Sequence, residues 1–339
     1  MTPRGPRGAV ERRNAIVPQM RDYDALGERQ RWVPHLMYFH PAQATYPSVT
    51  TDARGLRTVV GADPDRPTAL LVGGSTAFGI GATSDAASVA SRLSATTRWS
   101  WRNYGGRALN STQEAVLTHL MGTDDLAGPI VLLSGLNNLV RACMPGAFDP
   151  TYGAFFQQSH FERQMRVAAV GTRALARMLA RGLAAKAGIG RGPWESDAAA
   201  PRELAAHASA NYDPMLHVLR RDLEYFAMVA AARRTSCTFV LQPYAPWIAK
   251  ALDPRERELF ALLDEEGADF TPVAAEVTRR GDAYRRDVAR ICADAGVAFV
   301  DANAGPAFAG PDWLFVDRLH LTDAGQDAAA RLIASALPR

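Results

Sequence analysis

The stretch TALLVGGSTAFGIG, Thr68–Gly81, decides the fold. Four consecutive apolar residues, Ala69, Leu70, Leu71 and Val72, form the short uninterrupted run of a strand buried on both faces. Gly73 and Gly74 end it, Ser75 follows, and a Gly-rich turn leads to a helical pattern from Ser84 or Asp85 onward. In open α/β sheets ligands bind just outside the carboxyl ends of the strands, where Ser75 falls. Gly73 and Gly74 remove side chains around it and leave room for a substrate to reach the hydroxyl and the backbone N–H. The same letters suit an ordinary βα connection, so the case for chemistry rests on the rest of the chain. A phosphate-cradling loop is excluded by the missing Gly-Lys-Ser/Thr ending. The G-x-S-x-G nucleophile turn is absent too.

Outward from this strand, apolar runs and helical spacings alternate. Trp99–Tyr104 is a second expected strand, ending at Gly105-Gly106, and Ile130–Leu133 a third, ending at Ser134-Gly135-Leu136-Asn137-Asn138. Cys237–Gln242 and Val297–Asp301 complete a set of five. Helices are expected over Asp85–Ala95, Ser111–Leu120, Met215–Arg233, Ala274–Ala295 and Asp323–Leu337. Ser111 is a candidate cap with Glu114 placed for a capping box, and Thr322 or Asp323 caps the last helix. Alternation of this kind predicts a parallel, doubly wound sheet covered by helices on both faces. The ends of the strands then gather Ser75, Asn103–Gly106, Asn137 and Gln242 on one edge.

Residues 1–20 are expected to be a disordered arm, and 21–339 a single domain. Short β-like pieces, Trp32–Phe39 and Arg57–Val60, lead in to the sheet. A helical insertion or cap occupies about 145–214, with a loose stretch at Gly188–Pro201. Within it Val167–Ala187 carries Arg173, Arg177 and Arg181 at i,i+4 spacing, a solvated face of an amphipathic helix.

The 339 residues carry a net charge of +3 and are 47% hydrophobic, values of an ordinary globular protein. The basic character is arginine, since Lys186 and Lys250 are the only lysines, and no basic block is dense enough to argue for nucleic acid. Cys143, Cys237 and Cys292 lie far apart, giving no disulfide framework and no metal spacing. The first twenty residues have charge but no apolar core of a secretory signal, which predicts a cytoplasmic protein. No apolar run reaches membrane-spanning length.

A serine nucleophile needs a base and a group to orient that base. Of the seven histidines, His119 and His217 fall inside helical patterns, whereas His320 stands in the loop FVDRLHLTDAG before the last helix. Asp317, three residues earlier, is within reach of its Nδ1–H, which leaves Nε2 as the base. A structural Asp–His loop pair has the same letters. Oxyanion donors are available from backbone N–H groups after the first two strands and from the Asn137 amide. Asn137 and Asn138 also suit plain turn-forming roles.

Four blocks in order resemble those of the SGNH (GDSL) hydrolase superfamily: GGSTAFG at Gly73–Gly79, NYGGRALNSTQE at Asn103–Glu114, SGLNN at Ser134–Asn138 and DRLH at Asp317–His320. The lead-in TTDARGLRTVV and the segment QPYAPW are similar to SGNH esterases found among polysaccharide-biosynthesis genes. The resemblance implies a three-layer α/β/α sandwich with about five parallel strands, flavodoxin-like in its winding. It implies Ser75 as nucleophile, His320 as base and Asp317 as its orienter. The oxyanion donors it implies are the Ser75 N–H and the Asn137 amide, with Ala108 at the family's second-block glycine, or Gly106 in a shifted register. Asn138 stands where the family has aspartate, which implies altered loop packing. Gly74, Asn138 and Arg141 are candidate substrate contacts, Arg141 for a polar or anionic group. Trp247 and Trp313 are cleft or packing residues.

The expected activity is cleavage of a small acyl ester, on a sugar or a secondary metabolite, without metal or cofactor. The alternatives are an acyltransferase with the same triad and a non-catalytic binding module on the same fold. The only expected partner is the small-molecule ester, with no nucleic acid and no membrane.

Overall fold

The structure is a computed structural model and describes residues 6–169, 201–267 and 270–338. Five strands, β3 (Thr68–Gly73), β4 (Ser100–Gly105), β5 (Leu126–Ser134), β6 (Cys237–Leu241) and β7 (Ala298–Asp301), form one parallel sheet in the order β4-β3-β5-β6-β7. They follow a small antiparallel hairpin, β1 (Arg31–Val33) and β2 (Met37–Phe39). All five expected parallel strands are present, with ends moved by at most four residues. The pleat sends alternate residues to opposite faces. Leu70, Val72, Ile130, Leu132, Phe239 and Leu241 enter one core, while Ala69, Leu71, Val131, Leu133 and Val240 enter the other. Two separate cores divided by a sheet make three layers.

One face is covered by α4 (Val89–Thr96) and α11 (Asp323–Ala336), which pack on each other. The other carries α5 (Ser111–Met121), α6 (Leu136–Cys143), α8 (Pro201–Ala232) and α10 (Thr271–Asp294), with α8 touching the other three. The remaining helices are α1 (Pro6–Ile16), α2 (Met20–Glu28), the single turn α3 (Ser75–Phe78), α7 (Gln158–Ala169) and α9 (Pro254–Glu266). Among the described residues no helix is long and apolar enough to cross a membrane.

The arm expected to be disordered over 1–20 is largely ordered. Its residues 6–16 form α1, which packs on α9 through the buried Ala9 and through ion pairs of Arg12 with Glu265 and of Arg13 with Glu266. Val17 and Met20 then enter a third apolar cluster with Tyr23 and Phe78. The insertion boundary at 214 falls inside a helix. The buried stripe Leu204, Ala208, Asn211, Met215, Leu219, Leu223, Phe226, Ala230 keeps helical spacing straight across Pro214, so α8 is one element of 32 residues. Most of the expected arginine-faced helix Val167–Ala187, and all but the end of the loose stretch Gly188–Pro201, lie outside the described residues. Arg57–Val60 is not a strand; Arg57 makes only an isolated bridge with Thr51. The cap of α5 is Asn110, not Ser111, and the capping box pairs it with Gln113. Glu114 is thereby freed from the cap and points into the core, where it is fully buried.

Candidate active site

Strand β3 delivers Ser75 as the first residue of α3, with Gly74 extended just before it. At that position the serine N–H is one of the unpaired amides of a helix N-terminus. Ser75 is 6% exposed and its Oγ lies 2.8 Å from His320 Nε2. The His320 Nδ1 lies 2.5 Å from Asp317 Oδ2. The other Asp317 oxygen accepts the backbone N–H groups of Leu319 (2.9 Å) and His320 (2.8 Å), so the Asp-x-x-His spacing closes a tight turn. Burial by itself would raise the Asp317 carboxyl; the His320 charge and hydrogen bond and these two N–H groups outweigh it and hold the group down at about 2. A carboxylate so held fixes the imidazole proton on Nδ1 and leaves Nε2 to accept from the Ser75 hydroxyl.

The loop carrying Asp317 and His320 is clamped from three sides. Glu256 Oε1 accepts the N–H groups of Leu314 (2.9 Å) and Phe315 (3.1 Å), and Lys250 Nζ donates to both Glu256 oxygens at 2.7 Å. Arg318 Nη2 donates to Asp264 at 2.8 and 2.7 Å. Gln242 Nε2 donates to Thr76 Oγ1 (2.9 Å), which donates to the Leu319 carbonyl (3.2 Å) and so ties the histidine loop to the residue after the serine. The Arg57 guanidinium, wholly buried, donates to the carbonyls of Phe78 and Gly79 and fixes the far end of α3. Sequence reasoning missed Glu256, Asp264 and Thr76. The one local signal was Asp253-Pro254-Arg255-Glu256, a capping-box spelling for α9.

Asn137, on the first turn of α6, lies against the serine turn. A Cβ on Gly74 would sit 2.6 Å from Asn137 Nδ2, so Gly74 is required for the amide to reach this place. One Asn137 N–H donates to the Leu109 carbonyl at 2.7 Å, which leaves the second. The register question in the second block has an answer in the backbone. Gly106 N–H donates to the Gly73 carbonyl at 3.0 Å, adding one rung to the β3–β4 ladder, so Gly106 is not an available oxyanion donor. Ala108 has φ +58°, the left-handed region, and its N–H has no hydrogen-bond partner among the described residues. An alanine there costs about 1–2 kcal/mol that glycine would not.

One candidate substrate contact, Asn138, is corrected, and Arg141 proves buried. Asn138 is 1% exposed and committed at both ends of its amide: Oδ1 accepts the Ser111 N–H (3.2 Å) and Nδ2 donates to Ser111 Oγ (2.8 Å). It joins α6 to the start of α5. Arg141 is 6% exposed, not a surface residue; its Nε donates to the Phe155 carbonyl at 3.2 Å, and burial lowers its pKa. It shares a helix face with Asn137, four residues away, and braces the 145–156 loop. Trp247 packs on α10 over Gly281 and donates to the Val277 carbonyl, while Trp313 donates to the Phe315 carbonyl under Arg255; both are packing residues.

No protein-family model matches the chain, and no curated protein matches it. Among solved structures it is similar to the extracellular lipase of Streptomyces rimosus, at 15% identity over 79% of this chain and 99% of that one, with a TM-score of 0.43. It is also similar to phospholipase A1 of Streptomyces albidoflavus NA297, at 14% identity over 80% and 99%, TM-score 0.40. A third is LAE5, an alpha/beta hydrolase enzyme from the metagenome of Lake Arreo, at 13% identity over 82% and 96%, TM-score 0.39. At such values the likeness is one of loose outline.

Proposed function

We propose that this chain is a serine ester hydrolase of the SGNH type. The observation that carries the reading is the unbroken line Ser75 Oγ, His320 Nε2, His320 Nδ1, Asp317 Oδ2, at 2.8 and 2.5 Å. In this reading Ser75 Oγ attacks the ester carbonyl as His320 takes its proton. The tetrahedral oxyanion is met by the Ser75 N–H, the Ala108 N–H and the second Asn137 amide hydrogen. His320 then protonates the leaving alcohol, and the acyl-enzyme passes its acyl group to a water that His320 deprotonates in turn. Asp317 stays ionised and stabilises the imidazolium. A positioned base is worth about 10²–10⁴ in rate and one oxyanion donor about 10²–10³. The substrate class is a small acyl ester, on a sugar or a secondary metabolite.

The test is hydrolysis of p-nitrophenyl acetate and butyrate by the wild type beside Ser75→Ala, with folding checked by circular dichroism. Activity is expected in the wild type and to fall by at least a factor of about 10³ in the variant. An unchanged rate in Ser75→Ala, or no labelling of Ser75 by a fluorophosphonate, overturns the reading in favour of a binding module. Product analysis with added alcohols separates hydrolysis from acyl transfer.

A further inference from the structure

Ala108 holds a backbone conformation that alanine disfavours, and such a conformation persists only where its surroundings impose it. The turn closes on itself where the Leu109 N–H donates to the Gly106 carbonyl at 3.3 Å, and two further groups that hold it come from the segment just after the β1–β2 turn. Tyr38 Oη donates to the Ala108 carbonyl at 2.9 Å. His40 Nε2 accepts the Arg107 N–H at 3.2 Å, one residue before the donor amide. The two bonds grip the peptide units on either side of Ala108 N. His40 is 1% exposed and its ring packs, tilted, against Phe78, 3.9 Å between centroids, on the same short helix as Ser75. Burial, with the Arg107 and Arg57 charges nearby, pushes its pKa down to about 3, so the ring is neutral and its Nε2 is free to accept. Neutrality with Nε2 accepting puts the proton on Nδ1, on the side of the Gly55 backbone, whose hydrogen bond opposes the fall in pKa. The frame is itself anchored: Gln113 Nε2, from the capping box of α5, donates to the Leu36 carbonyl at 3.0 Å.

We infer that Tyr38 and His40 are positioning residues of the oxyanion hole, holding the Arg107–Ala108 turn so that the Ala108 N–H faces the reacting carbonyl. The inference rests on the esterase reading for what the N–H does, and on geometry alone for what holds it. It makes the small N-terminal hairpin, which contributes nothing to the five-stranded sheet, part of the site.

The test is a cycle of four proteins: wild type, Tyr38→Phe, Ala108→Gly and the double variant. Glycine adopts φ near +60° without restraint, so it has little need of the tyrosine. Tyr38→Phe is expected to lower kcat on p-nitrophenyl acetate about tenfold with KM within about twofold, since a displaced oxyanion donor is missed in the transition state. In the Ala108→Gly background the same substitution is expected to cost less than about threefold, and its shift of the urea midpoint is expected to shrink. His40→Phe, which keeps an aromatic ring against Phe78 and removes the acceptor, is expected to follow the same pattern. Equal effects of Tyr38→Phe in both backgrounds overturn the inference, as does a raised KM with kcat unchanged. If Ser75→Ala leaves the wild-type rate intact, the esterase reading is what has failed. The urea cycle still decides the holding of the turn: a shrunken shift sustains it and additive shifts overturn it.

Discussion

A methyl group on Gly74 would meet the Asn137 amide nitrogen at 2.6 Å, and Asn137 has little room to yield because Leu109 already holds it. Gly74→Ala is therefore expected to lower kcat by a factor of ten or more. Asn137→Ala is expected to lower it by roughly a hundredfold, the usual cost of one lost oxyanion donor. Because both act through the same amide, the double variant is expected to be no slower than Asn137→Ala alone. Steady-state kinetics of the three proteins check this: a loss under about threefold in Asn137→Ala would remove Asn137 from the site, and multiplying effects would show that Gly74 acts by another route. The residues legible in the sequence are those whose role is carried by a side chain: Ser75, Asp317, His320 and Asn137 were named from letters and spacing. The choice between Ala108 and Gly106 as candidate amide donor was not legible. Every residue but proline owns an N–H, and only the ladder rung from Gly106 to Gly73 and the φ of Ala108 distinguish the committed amide from the free one.

Helix α9 acts on the site at the scale of an element. Its Glu256 closes the capping box with Asp253, pairs with Lys250 and accepts two amides of the histidine loop. The Lys250 and Glu256 side chains are both fully buried. Removing one partner of such a pair strands the other charge, at a cost of about 3–5 kcal/mol. Lys250→Met is thus expected to lower the urea midpoint by that equivalent with the m-value unchanged. A loss under about 1 kcal/mol would show that the Glu256 charge is relieved elsewhere. The sequence spelled the start of α9 in Asp253-Pro254-Arg255-Glu256, while Pro214 hid the continuity of α8. Proline is a strong local stop signal, and only the long stripe from Leu204 to Ala230 shows that packing overrides it here. Strands were the most legible elements because a parallel sheet buries both faces and leaves plain apolar runs. Their spatial order is set by contacts far apart in sequence and was not legible.

Across the whole molecule, two carboxyls with opposite shifts shape how stability depends on pH. Glu114 lies in the core between α5 and the sheet, where Ser134 Oγ donates to Oε1 at 2.6 Å and Oε2 has no partner. Burial raises its pKa from 4.5 to about 8, with the Asp222 charge adding to the rise and the Ser134 bond opposing it. Between those values the unfolded chain has released this proton and the folded chain keeps it, so stability falls as pH rises, by up to about 1.4 kcal/mol per pH unit. Asp317 works the other way. Its folded value of about 2 lies below the ordinary 3.8, so its contribution is complete above about pH 4 and is lost as pH falls through 2. Glutamine at position 114 keeps the acceptor for Ser134 and has no proton to release. Glu114→Gln is therefore expected to leave stability near pH 4.5 little changed and to raise it progressively toward pH 8, flattening the alkaline limb. Urea unfolding of wild type and variant at pH 5, 6.5 and 8 checks the sign: parallel profiles would mean that Glu114 is already ionised in the folded protein, and that a group near it neutralises the charge.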